Sequence, residues 1–543
     1  MAIWLAKSRT IITNYLKTKI GSFDITLNQM CTEKDSWCRS DYNSYKSLAG
    51  DFNRKPGGMW GSPAASLAFR RTESVRAAGE QVEGAAYTDD DGEDGDGDND
   101  GNQGMDFPGG RVTFISQMKF ISESPEERVP CYQVLDDDGC QIPNSIFEQG
   151  MDFPGGRVTF ISQMKFISEC PEERVPCYRV LDDDGCQIPN SIFEQVDKET
   201  AMKMYKSMVT LQTMDIIFYE AQRQGRLSFY LTSSGEEAIN IATAAALTLD
   251  DIILPQYREP GILLWRGFTL EQFANQLFGT KDGNDKGRQM PIHYGSKQHN
   301  YFTVSSPIAT QLPQAAGVAY ALKMDNKEAC VVAFMGDGST SEGDFHAGLN
   351  FAAVLEAPVI FVCRNNGWAI STPTSEQFRS DGVVVKGRAY GIRSVRVDGN
   401  DTLAVYSAIR AAREMTIREQ KPILVEALTY RVGHHSTSDD STKYRSSMEI
   451  EHWRMAKNPV NRFRKWVETN GWWTDEDETQ LRSSVRKKVM NAIQVVDRTE
   501  KPALKDLFTD VYDRVPSNLR EQEKSLRETI KRHQLDFPAD VPV

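Results

Sequence analysis

Gly336, Asp337 and Gly338 are followed, at the end of the next apolar run, by the pair Asn365 and Asn366. A carboxylate and a carboxamide are hard oxygen donors of the kind Mg²⁺ prefers, and flanking glycines let backbone N–H groups approach phosphate oxygens. Residues 329–334 form a short apolar run of buried-strand type that leads directly into this motif. Residues 344–357 then carry Phe345, Leu349, Phe351, Ala352 and Leu355 at roughly helical spacing, and residues 359–363 form a second apolar run. The segment reads as strand, helix, strand. A right-handed crossover lays the strands parallel, so Asp337 and Asn366 emerge at the carboxyl edge where α/β sheets bind ligands. Gly-Asp-Gly alone is a common strand-end turn. The asparagines at the next strand end single it out as a place for a diphosphate held through a divalent metal.

The elements around the motif follow from the same patterns. Met202, Tyr205, Met208, Val209, Met214, Ile217 and Phe218 predict an amphipathic helix over 203–224, which Gly225 ends. An alanine-rich helix is expected over 236–249, and residues 252–254 read as a strand running into Gln256, Tyr257 and Arg258. Residues 423–430 read as another strand, followed by a polar loop over 431–446; loops at strand ends commonly carry catalytic groups. Beyond Pro459, the region of Trp466, Trp472 and Trp473 turns helical, suited to subunit packing.

Composition bounds the partners. The chain has 543 residues and a net charge of −13, which argues against a nucleic-acid surface. No apolar run approaches the roughly 20 residues a membrane-spanning helix needs. Nine cysteines without a Cys-x-x-Cys pair suit a reducing compartment better than a disulfide framework.

The first part of the chain reads as an address and a spacer. Lys7, Arg9, Lys17 and Lys19 precede the first acidic residue, Asp24, among apolar residues at near-helical intervals, the pattern of a mitochondrial transit peptide. Residues 1–85 are therefore assigned to a transit peptide and a poorly ordered segment, and 86–103 to an acidic linker kept disordered by self-repulsion. Asp96, Asp98, Asp100 and Gly101 fit part of a calcium loop, but Phe107 stands where its last carboxylate belongs. Residues 104–149 and 150–195 are nearly identical, differing at Ser124 against Cys170 and Gln133 against Arg179. Two copies are too few for a stacked repeat array. One α/β domain is expected over 196–480, and a helical tail over 481–543.

From Val196 to the C-terminus the sequence resembles the thiamine-diphosphate-dependent 2-oxoacid dehydrogenases, specifically the alpha subunit of their decarboxylase component. Gln256-Tyr257-Arg258-Glu259, Lys286 to His293, Ser305-Ser306-Pro307 and Cys363-Arg364-Asn365-Asn366-Gly367 stand in the family's order. Gly433-His434-His435-Ser436-Thr437-Ser438-Asp439-Asp440 looks like the branched-chain member, since the pyruvate member usually carries a single histidine there. Trp368 departs from the tyrosine often found at its position, a tolerable exchange if only its carbonyl binds the metal. The resemblance implies a thiamine-diphosphate-binding fold with a mostly parallel sheet flanked by helices. It also implies oxidative decarboxylation of the branched-chain 2-oxoacids of valine, leucine and isoleucine catabolism, with acyl transfer to a lipoyl group. A pyruvate or acetoin dehydrogenase alpha subunit and a non-catalytic subunit of the same fold are the alternatives.

Roles carry over residue by residue. Asp337, Asn366 and the Trp368 carbonyl would bind Mg²⁺, with Gly336, Gly338 and Ser339 along the diphosphate and Arg258 and Arg364 paired with its oxygens. Gln256 would line the cofactor, while Tyr257, Ser306 and Ile308 would meet the aminopyrimidine. Ser305, Pro307, Thr310 and Gln311 resemble the family's K⁺ loop. His435 would be the acid/base, because imidazole titrates near neutral pH. Ser436 and Ser446 resemble serines controlled by a kinase and a phosphatase. The family's beta subunit supplies the cofactor-activating carboxylate, so an α₂β₂ heterotetramer working with a lipoyl-bearing acyltransferase in the mitochondrial matrix is expected. In the family one extension precedes the catalytic domain, so the second copy is expected to take that place. The first is expected to have no docking site, as a duplicated exon or a gene-prediction error.

Overall fold

A computed structural model describes residues 104–108, 110–122, 131–132, 150–153, 156–161, 174–509 and 511–543. The expected transit peptide and acidic linker lie outside the described residues.

Thirteen strands occur among the described residues. In chain order they are β1 Gly104–Phe107, β2 Gly110–Ile115, β3 Cys131–Tyr132, β4 Gly150–Phe153, β5 Gly156–Ile161, β6 Cys177–Tyr178 and β7 Ile252–Leu254. They continue with β8 Val331–Gly336, β9 Val359–Asn365, β10 Trp368–Ala369, β11 Thr372–Pro373, β12 Arg393–Asp398 and β13 Ile423–Leu428. One sheet has the order β1-β2-β6-β12-β13-β9-β8-β7, with only the β1–β2 pair antiparallel. All seven residues of β9 and five of six in β8 are buried, as continuous apolar runs covered on both faces should be. The register sets Gly336 beside Arg364, and Asn365 beside Leu428.

Helices cover both faces. Lys198–Arg223, capped by Asp197 accepting from the Thr200 amide, packs with Glu237–Ala246 and Thr402–Glu419 in the main apolar core. Gln311–Met324 and Gly343–Val354 pack together over the opposite face, in a second cluster with Leu312, Phe345 and Phe361. The C-terminal region is helical as expected. The boundary expected at 481, however, falls inside the helix Asp475–Val496, whose Val485, Val489 and Ile493 belong to the main core. No helix among the described residues is long and apolar enough to cross a membrane.

Two elements escape the periodicity reading. β12 alternates Val395 and Val397 with Arg393, Arg396 and Asp398, yet five of its six residues are buried. Arg396 is accommodated because Glu426 on β13 faces it at 3.0 Å and Asp381 at 3.1 Å. The duplicated extension also departs from expectation. β6 of the second copy does join the catalytic sheet, but the hairpin beside it, β1–β2, comes from the first copy. The first copy therefore has a docking place.

Candidate functional site

Four strand ends build the site. Gln256, Tyr257 and Arg258 follow β7, Asp337 follows β8, Asn366 follows β9, and β13 leads into the loop with Arg431 and His435. Because these strands are parallel, all four ends share one edge. A cavity of about 170 Å³ lies between them, lined among others by Tyr257, Arg258, Ile308, Asp337, Asn366 and His435.

Asp337 is 2% exposed, and its Oδ2 accepts from Gln377 Nε2 at 2.7 Å. Burial pushes its carboxyl up to about 6, against the opposing pull of the Gln377 bond. A carboxylate in such a place gains from a nearby cation. Ser339 Oγ, on the same cavity wall, is buried and has no hydrogen-bond partner among the described residues. The Gly338 turn presses against β10: a Cβ on Gly338 would lie 2.8 Å from Ala369 Cβ. These residues fit a metal-bound diphosphate, which would relieve the carboxylate and give the orphaned hydroxyl a partner.

The paired asparagines divide the work. Asn365 Nδ2 donates to Glu426 Oε1 at 2.8 Å, and its Oδ1 accepts from the Gly367 amide at 3.2 Å, so it anchors the turn. Asn366 faces the cavity, donating to Glu236 Oε1 at 2.7 Å and accepting from the Trp368 amide at 3.2 Å. The Trp368 carbonyl accepts from Arg431 Nη1 at 3.0 Å and keeps a second lone pair.

Arg364 does not stand ready for an anion. It lies 2.5 Å from both Glu236 and Glu259, with all three side chains buried. Burial alone would lower its pKa, but the two carboxylates raise it overall. Against the same burial, Arg364, followed by Arg258 and Asn366, keeps Glu236 below the usual carboxylate range. Arg258 differs. It donates to the carbonyls of Thr232, at 2.8 Å, and His435, and no ion pair to it occurs among the described residues.

His435 Nδ1 lies 3.4 Å from both Arg258 Nη2 and Arg431 Nη1. Guanidinium groups only donate, so Nδ1 accepts and the ring proton belongs on Nε2. Burial, then Arg258 and Arg431, pulls the imidazole down to about 3. This lies below the near-neutral titration expected from the sequence and favours the neutral ring in the cofactor-free chain. Its backbone N–H donates to Asp439 Oδ2 at 2.8 Å, and Tyr444 OH donates to the same oxygen at 2.7 Å.

Other expected residues meet the site unevenly. Gln256 Oε1 accepts from the Gly336 amide at 2.5 Å. Ser306 is exposed, with its Oγ 2.5 Å from His293 Nε2, and does not line the cavity. Thr310 Oγ1 donates to Pro307 O at 3.1 Å and lies 3.3 Å from Ser305 Oγ, gathering three oxygens. Gln311 instead donates its side-chain amide to Phe334 O at 2.6 Å. Ser436 is half-buried with its Oγ 3.1 Å from Ser438 Oγ, while exposed Ser446 caps the helix Ser447–Met455.

Comparison with known proteins identifies the family. The profile of the dehydrogenase E1 component family matches residues 205–505. The mitochondrial 2-oxoisovalerate dehydrogenase subunit alpha 1 of Arabidopsis thaliana is 69% identical over 538 residues, covering 99% of each chain. The chain belongs to the branched-chain 2-oxoacid dehydrogenase alpha-subunit family. The Arabidopsis subunit alpha 2 is 69% identical over 442 residues, covering 81% of this chain and 84% of that one. The human alpha subunit is 49% identical over 434 residues, covering 80% and 87%. As a member of this family the chain is an alpha subunit of the E1 decarboxylase component.

Glu236, Gln377 and Arg431 were not picked out from the sequence, and Glu259 only as part of the Gln256-Tyr257-Arg258-Glu259 motif, without a role. Each acts through a contact distant in the chain, Glu236 reaching Arg364 and Asn366, and Gln377 reaching Asp337. Glu236 and Glu259 are marked only by their pairing with the buried Arg364, visible once β7 and β9 are placed, and Gln377 and Arg431 only by their hydrogen bonds to Asp337 and to the Trp368 carbonyl.

Proposed function

We propose that this edge is the diphosphate half of a thiamine-diphosphate site. The observation that carries the reading is the meeting of Asp337, Asn366, Arg258 and His435 in one cavity. Asp337, Asn366 and the Trp368 carbonyl would hold Mg²⁺, with Gly336, Gly338 and Ser339 along the diphosphate. Arg258 supplies charge to its oxygens, and Arg364 instead fixes the frame. Tyr257 and Ile308 would flank the aminopyrimidine. Ser305, Pro307 and Thr310 would hold K⁺. Bound thiamine diphosphate supplies the nucleophile for the 2-oxo carbon and the electron sink as CO₂ leaves.

The chain's own part in turnover is binding and proton placement. His435, with its proton on Nε2, would donate to the substrate's developing oxyanion, and Arg258 and Arg431 hold its ring in that tautomer. The overall activity is that of a 3-methyl-2-oxobutanoate dehydrogenase (2-methylpropanoyl-transferring), oxidising branched-chain 2-oxoacids and acylating a lipoyl domain. The cofactor-activating carboxylate would come from a beta subunit in an α₂β₂ assembly within the mitochondrial matrix, after removal of a transit peptide. Phosphate on Ser436, next to His435, would repel the anionic substrate and block the lipoyl arm. On Ser446 it would sit at a helix N-terminus, where charge is well received and activity is less directly opposed. Co-expression with the beta subunit, followed by assay with thiamine diphosphate and Mg²⁺, tests the reading. The expected result is faster turnover of 2-oxoisovalerate than of pyruvate, and equal or reversed rates would overturn it.

A further inference from the structure

The two copies of the extension exchange partners. β2 of the first copy pairs with β6 of the second, setting Phe114 opposite Cys177 and Ile115 opposite Tyr178. β5 of the second pairs with β3 of the first, setting Cys131 opposite Phe160 and Tyr132 opposite Ile161. Each is the pairing that one copy would make within itself, shifted by one copy length. Residues 104–115 and 150–161 are identical, so exchange leaves the kinds of strand pair unchanged. Loop closure separates the two arrangements weakly, because its cost grows only with the logarithm of loop length.

The hairpin beside β6 touches the site. Gly367, at φ +82°, approaches Pro108 so closely that a Cβ there would lie 2.1 Å from Pro108 Cβ. Thr374 links the same places: its amide donates to Gly367 O at 3.0 Å and its Oγ1 to Pro108 O at 3.4 Å. Phe107 is 6% exposed and packs 5.6 Å from Trp453, whose ring stacks on Tyr430 at 5.0 Å. Tyr430 precedes Arg431, the donor to the Trp368 carbonyl. The hairpin is thus wedged between the Asn366–Trp368 turn and the loop that carries His435.

We propose that this hairpin is a positioning element for the Asn366–Trp368 turn and that either copy can fill its place. The proposal rests on reading that turn as a metal site. It makes the duplication a redundant support, with Phe107 and Pro108 in one copy and Phe153 and Pro154 in the other as interchangeable positioning residues.

The test uses the co-expressed αβ assembly with Phe107→Ser, Phe153→Ser, both together, a deletion of 104–149, and that deletion carrying Phe153→Ser. Two readouts are taken: the Mg²⁺ concentration for half-maximal retention of thiamine diphosphate, and hydrogen exchange of the 366–374 backbone. Each single variant and the plain deletion should match the wild type in both. The double variant and the substituted deletion should need about tenfold more Mg²⁺, as loss of a supporting contact typically demands. Their exchange should quicken at 366–374, turnover at saturating Mg²⁺ should largely recover, and Phe107→Leu in the double background should restore the Mg²⁺ requirement. Phe107→Ser alone reproducing the double variant would overturn interchangeability, and a double variant equal to wild type would overturn positioning. Wild type that retains no cofactor would sink the functional reading, while the exchange readout would still judge the hairpin.

Discussion

Arg364 and Arg258 line the same cavity in opposite electrostatic settings. Arg364 is enclosed by two carboxylates at 2.5 Å, whereas Arg258 donates to the carbonyls of Thr232 and His435 and faces a second cation, Arg431, across His435. A buried cation already matched by carboxylates gains little from another anion. One held by neutral carbonyls keeps most of its charge for a ligand, and two such cations together suit a diphosphate. The contrast separates frame from binding surface within one strand-end cluster.

The largest expected effect breaks the frame. Arg364→Met would leave Glu236 and Glu259 buried together without their cation, costing about 3–5 kcal/mol of stability. Loss of soluble assembly, or a marked fall in denaturation midpoint, is the outcome to look for; an unchanged midpoint would show that the pairing does not support the fold. Arg258→Met leaves Glu236 and Glu259 paired with Arg364 at 2.5 Å, so it should spare the fold more. It should weaken thiamine-diphosphate binding about tenfold to a hundredfold, the range of a lost charge-assisted hydrogen bond. Removing that cation should also raise the His435 pKa from about 3, visible as a shifted acid limb in the pH–rate profile. Equal effects of the two substitutions on cofactor affinity and on stability would dissolve the comparison.

The sequence placed both arginines in one role, and the reason is physical. Strand ends are legible because continuous apolar runs stop at them, which is how Asp337 and Asn366 were found, whereas the roles of Arg258 and Arg364 came from the family resemblance. The charge that each arginine meets is supplied from elsewhere in the chain: Glu236 opens a helix, and Glu259 follows Arg258 by one residue but turns toward Arg364. The same limit hid β12, where a buried Arg396 reads as a surface residue until Glu426 lies beside it. It also hid the hairpin exchange, since identical sequences carry no signal of which copy docks.

Asp337 gives the smallest and most diagnostic test, because it is the cavity's own anion. Its folded pKa is raised to about 6 by burial, so the folded metal-free chain holds this proton to higher pH than the unfolded chain does. That contribution is fully present below the unfolded value near 4 and is lost as pH rises through about 6. In the metal-free assembly, Asp337→Asn should therefore leave the denaturation midpoint unchanged at pH 4 and raise it by about 2–4 °C at pH 8. Mg²⁺ selects the ionised form, so its apparent affinity for the wild type should fall about tenfold per pH unit below 6. Added Mg²⁺ with thiamine diphosphate should then stabilise the wild type at pH 8 and not the variant. A variant that is less stable than the wild type at pH 8 without metal would mean that Asp337 is a structural anchor like Arg364, and the division between frame and binding surface would have to be redrawn through the metal site itself.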